Sequence, residues 1–120
     1  MHLLSTLLIG LVAVIHLYIL WLEMFAWTTR GPQTFRSLRP ELFEPTKMMA
    51  ANQGLYNGFL AAGLVWSLLI TDAAWHRNVA SFFLGCVAVA GGYGALTVSR
   101  RILLVQTGPA LLALAAVWLA

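Results

Sequence analysis

The chain has 120 residues, enough for one domain covering 1–120. Hydrophobic residues make up 61% of it, charged residues 9%, and the mean hydropathy is +0.84, whereas a soluble domain carries about a quarter charged residues. A water-soluble fold of this size cannot hide so much apolar surface. The composition therefore predicts an integral membrane protein and excludes nucleic-acid binding, a secreted disulfide scaffold and a cytosolic enzyme fold as first readings. The net charge of +3 is read as basic loops on the cytoplasmic side of a bilayer. The single cysteine, Cys86, lies in an apolar run, so it offers neither an intrachain disulfide nor a zinc framework and reads as a small core residue.

Four apolar stretches follow in chain order, about 3–27, 48–70, 79–98 and 102–119. Each approaches the roughly 20 residues a helix needs to cross the hydrocarbon core. Open-edged strands do not survive in lipid and the alternation of barrel strands is missing, so the expected fold is all-α, a polytopic bundle of four transmembrane helices. The first stretch has no basic leader and no small-residue cleavage site, and it is too long for a signal-peptide core; it is expected to stay. Between the first two spans lies RGPQTFRSLRPELFEPTK, where Pro32, Pro40 and Pro45 forbid a long helix. Its alternation of Phe35, Leu38, Leu42 and Phe43 with charged residues suits a segment at the headgroup boundary. The other links, Asp72–Arg77 and Ser99–Arg101, are expected to be tight turns. Arg30, Arg36, Arg39, Lys47, Arg100 and Arg101 lie on one side and only Arg77 on the other. The positive-inside rule then puts both termini outside and loops 30–47 and 99–101 in the cytoplasm.

Ionisable residues at membrane depth are expensive and face a bundle interior or a wet cavity. Here these are His16 and Glu23, seven residues apart on one face of the first helix and about 10 Å apart along its axis. The second span adds Asn52, Gln53 and Asn57, with Gln53 and Asn57 sharing a face. Gly54, Gly58 and Ala62 form a small-xxx-small ridge that lets another helix approach closely, whether from this chain or from a second copy. Measured inward from the nearest cation, Glu23, Gln53, Tyr93 and Gln106 all lie at a depth of roughly 8 to 10 Å, one from each span. His16 and Asn57 are deeper. This common depth predicts a polar cavity open to the cytoplasm. Pro109 is expected to release a carbonyl just above Gln106. Trp21, Trp27, Trp66, Trp75 and Trp118 read as interfacial belt residues. The three histidines do not gather, so neither a metal site nor haem is expected and no cofactor is assigned.

The segments HLYILWLEMFAWTT, ANQGLYNGFLAAGL and GGYGALTVSRRILLVQTGPALLAL resemble a family of small four-helix bacterial membrane proteins, the domain of unknown function 1304 family. The matching positions are His16, Glu23, Asn52, Gln53, Gly54, Tyr56, Asn57, Gly58, Tyr93, Gly94, Gln106 and Pro109. The resemblance covers nearly the whole chain and implies the four-helix architecture, a bacterial inner-membrane location and a shared intramembrane site, but no activity.

Three functions are expected in order of preference. The first is binding or transport of a small hydrophobic or amphipathic molecule, coupled to a proton on Glu23. The second is a membrane-embedded acid-base enzyme of isomerase type acting on a lipid-like substrate, with His16 and Glu23 as the proton-transfer pair. The third is an accessory subunit of a membrane complex. The expected partners are membrane lipid and a second copy of the chain, packed through either the Gly54–Ala62 ridge or Gly85, Ala88 and Gly92.

Overall fold

The computed structural model describes residues 2–101 and 103–120, which carry no strand. Helix α1 spans His2–Phe25, a four-residue helix α2 spans Gly31–Thr34, and a single 3-10 turn covers Pro40–Leu42. Helices α3 (Lys47–Leu69) and α4 (Ala73–Thr97) follow; a π-helical segment, Leu103–Thr107, then leads into α5 (Gly108–Leu119). The four long helices form a ring in which α1 lies between α3 and α5, and α4 closes the circle between the same two. Ile9, Val12 and Ala13 of α1, Leu64 of α3, Ala80, Leu84 and Val87 of α4, and Ala110, Ala113 and Val117 of α5 meet in the core. The stripes recur at three- and four-residue spacing, so each helix presents one face inward. The alanines bring the backbones close enough for these side chains to interdigitate.

The outer face is as apolar as the core. Leu7, Leu11, Val14, Leu17 and Phe25 of α1, Phe59, Val65, Trp66 and Leu69 of α3, Phe82 and Val89 of α4, and Leu111 and Leu112 of α5 are all exposed. Soluble monomers rarely expose large apolar patches, so these faces favour association with a membrane. Among the described residues, α1 and α4 are long and apolar enough to cross a membrane, while the stretch Leu104–Leu119 is apolar but shorter. Helix α3 has the length, 23 residues, and its amides dilute its hydropathy. Two of the four expected spans thus meet both requirements.

Several boundaries differ from expectation. Helix α4 starts at Ala73, six residues before the expected 79, because Asp72 caps it: the carboxylate oxygen Oδ2 accepts the Trp75 backbone N–H at 2.9 Å. The expected turn at Asp72–Arg77 is accordingly the first turn of a helix. The fourth span was expected to begin at Ile102, which lies outside the described residues. Ahead of Pro109 the backbone widens into the π segment, as follows when a proline supplies no N–H to the carbonyl four residues back and its ring pushes against it.

The loop between α1 and α3 is held together by an aromatic cluster. Trp27 sits between Phe43 at 4.9 Å and Phe35 at 5.5 Å between ring centroids, and its indole N–H donates to Thr46 Oγ1 at 3.0 Å. Phe43 is 2% exposed. A Cβ on Gly31 would come within 2.8 Å of the Phe43 ring, so this plug requires glycine there. Trp27 therefore anchors the loop, with Phe43 buried beneath it.

Candidate functional site

Helices α1 and α3 are joined through a polar pair. Asn57 Nδ2 donates to Glu23 Oε1 at 2.7 Å, and its other hydrogen goes to the Gln53 backbone carbonyl one turn back, at 3.2 Å. The contact exists because the two backbones approach closely just below it. A Cβ placed on Gly54 would lie 2.7 Å from Met24 Cγ, 3.0 Å from Glu23 Cβ and 3.2 Å from the Leu20 carbonyl oxygen, and one on Gly58 would lie 2.6 Å from Leu20 Cδ1. None of the described glycines has positive φ, so their role is proximity and not an unusual backbone shape. The ridge expected as a contact between copies is, at Gly54 and Gly58, occupied by α1 of the same chain. Ala62 remains exposed beyond it.

Seven residues from Glu23 on the same face, His16 is 1% exposed. Its Nδ1 lies 2.8 Å from the Val12 carbonyl oxygen. A carbonyl only accepts, so Nδ1 carries the hydrogen and, in the neutral ring, Nε2 offers a lone pair. Nε2 is buried and has no hydrogen-bond partner among the described residues. An unpaired acceptor of this kind costs about 1–3 kcal/mol, and so marks a place where something with a hydrogen to donate belongs.

The remaining expected members do not join this group. Gln53 and Asn52 are exposed near the start of α3. Gln53 lies one turn before Asn57 on the same face, but it meets the pair through its backbone carbonyl while its side chain is exposed. Tyr93 is 69% exposed; the inward stripe of α4 is Ala80, Leu84, Val87, Gly91, and a residue two beyond Gly91 points about 200° away. Its ring borders a shallow apolar groove on the outside of α4, with Phe82, Gly85, Cys86 and Val89. The π segment holds Gln106 half-buried, its Cβ against the backbone of Gly91. Equal depth therefore does not become convergence for Tyr93, because the rotation of α4 is set by its core stripe. Among the described residues no group of three His, Cys, Asp or Glu side chains gathers to hold a metal ion.

Comparison with known proteins adds the family. The model of the family described as protein of unknown function (DUF1304) matches residues 10–118. The chain belongs to the DUF1304 family. Among its relatives is the uncharacterized protein YpaA of Lactococcus lactis subsp. lactis (strain IL1403), 31% identical over 116 residues that cover 95% of this chain and 96% of that protein. No solved structure matches the chain.

One polar residue of this DUF1304 protein was not singled out from the sequence. Thr107, 9% exposed, donates from Oγ1 to the Ala88 carbonyl at 3.2 Å and clamps the π segment onto α4. A Cβ on Gly91 would collide with the Thr107 hydroxyl. The signal was present as a hydroxyl two residues before Pro109, where the proline disrupts the helix ladder and side chains take over its fastening.

Proposed function

We propose that the chain is a four-helix membrane protein of the bacterial inner membrane that binds a small molecule at the Glu23–Asn57 pair and couples its exchange to protonation of Glu23. The observation that carries this reading is the 2.7 Å bond from Asn57 to Glu23, which bridges two helices between apolar outer faces. A carboxyl at such a depth is expensive and persists where it has a task. Binding is preferred over acid-base catalysis because His16 is bonded to Val12 and Glu23 to Asn57, and no bond joins the two as a proton-transfer pair. The apolar outer faces and the grouping of six of the seven cations at the loop end support four spans with both termini outside.

The test uses purified protein in vesicles loaded with a pH-sensitive dye and challenged with a panel of small amphipathic compounds. At least one compound should move the internal pH in the wild type, and Glu23→Gln should abolish that response. The amide keeps an oxygen for Asn57, so this variant should retain its helicity and melting temperature. Equal responses in the wild type and the variant across the panel would sink the proposal. Orientation is read in intact cells with an impermeant maleimide on single-cysteine variants: Ala74→Cys should react and Ser37→Cys should be protected. The opposite labelling pattern would invert the topology.

A further inference from the structure

Hydrogen-bonding capacity at the Glu23–Asn57 pair is one-sided. Both Asn57 amide hydrogens are committed, to Glu23 Oε1 and to the Gln53 carbonyl. Its Oδ1 remains, together with the second carboxylate oxygen of Glu23; two helical turns away, Nε2 of His16 is likewise an unpaired acceptor. With Glu23 ionised, each group left for a ligand accepts and none donates. Among the described residues the ion pair present is Arg39–Glu41 at 3.2 Å, on the exposed loop, so none of their cations pairs with Glu23. A carboxylate partly withdrawn from water is stabilised by a cation that brings its own hydrogens, and it repels an anion.

The surroundings add a shape. Along the seam of α1 and α3 runs an apolar groove of about 360 Å³, bordered by Leu17, Gly58, Ala62, Val65, Trp66 and Leu69. Gly58, the residue after Asn57, borders it, and Leu20 of α1 packs against Gly58 between the groove and the pair. We infer that the ligand is an amphipathic primary amine, with its ammonium group against Glu23 and Asn57 and its alkyl body in the α1/α3 groove. This inference rests on the binding reading above and names the chemical class of its ligand.

The experiment is calorimetric titration of the full chain in nanodiscs of zwitterionic lipid, with empty nanodiscs as background. The probes are decylammonium, butylammonium, decyltrimethylammonium, which keeps the charge and removes every N–H, and decanoate. Decylammonium should bind saturably, about tenfold or more tighter than the quaternary ion, and decanoate should not bind. Glu23→Gln should weaken decylammonium by a similar factor. Val65 is exposed, so Val65→Trp should fold and fill the groove, reducing decylammonium affinity to that of butylammonium. Equal affinity for the primary and quaternary ions, preference for decanoate, unaltered binding in either variant, or no saturable decylammonium binding would each overturn the inference. Proton movement dependent on Glu23 in vesicles, without amine binding, would overturn the ligand class and leave the functional reading standing. Loss of both signals would remove both.

Discussion

Gly54→Leu is expected to cost about 3 kcal/mol or more, at the upper end of overpacking penalties. The added carbons have nowhere to go: Met24 Cγ lies 2.7 Å from the Cβ position, and behind it stand Glu23 Cβ at 3.0 Å and the Leu20 carbonyl oxygen at 3.2 Å. A methionine tip can turn aside, but a backbone carbonyl moves only if α1 moves. Driving the helices apart also pulls Glu23 from Asn57, so the stability loss should be accompanied by loss of any activity that depends on the pair. The control is Gly10→Leu, at a glycine with nothing within 4 Å of its Cβ position. Its melting temperature in detergent should match the wild type, while that of Gly54→Leu should fall well below both. A Gly54→Leu protein that melts with the control would show that α1 and α3 do not touch there.

The second large effect is expected from Asn57→Leu. The substitution preserves approximate volume but removes the hydrogen bond at 2.7 Å and leaves Glu23 half-buried without its partner. Loss of the bond and the unmet polarity together should destabilise the protein by about 1–3 kcal/mol. Replacing both partners, as in Glu23→Leu with Asn57→Leu, removes the unmet group as well and should recover most of that loss, since matched apolar substitution of a polar pair is often nearly neutral. Activity should be absent in both proteins. The informative quantity is the coupling in the double-mutant cycle. Additive losses, with no recovery in the double variant, would mean that Glu23 and Asn57 do not interact.

Much of this architecture could be read from composition and spacing. An apolar run of helical length specifies a helix almost regardless of its neighbours, because in an apolar environment the backbone must satisfy its own hydrogen bonds. Helices α1 and α3 accordingly begin and end within about two residues of the expected limits. The start of α4 was missed because Trp75, His76 and Arg77 are polar or amphipathic and looked like a turn. What decided it was the bond from Trp75 N–H to Asp72, a local capping signal weaker in hydropathy than the residues around it.

The sequence by itself determined that the chain is helical, that its cations cluster at one end, and that Glu23 and His16, with Asn52, Gln53, Asn57, Tyr93 and Gln106, are the groups whose polarity needs an explanation. These properties belong to single residues or to periodicity along one helix, and they survive without knowledge of what packs where. Rotation of each helix about its axis was settled only by tertiary packing. Val87 and Gly91 take the core side of α4 and Tyr93 is thereby turned outward; Gly54 admits α1 and Asn57 is thereby brought to Glu23. Depth along a helix follows from counting at a fixed rise per residue. Facing does not, because it depends on which stripe of small and apolar side chains fits the neighbouring helices most closely, and that is a property of the whole bundle.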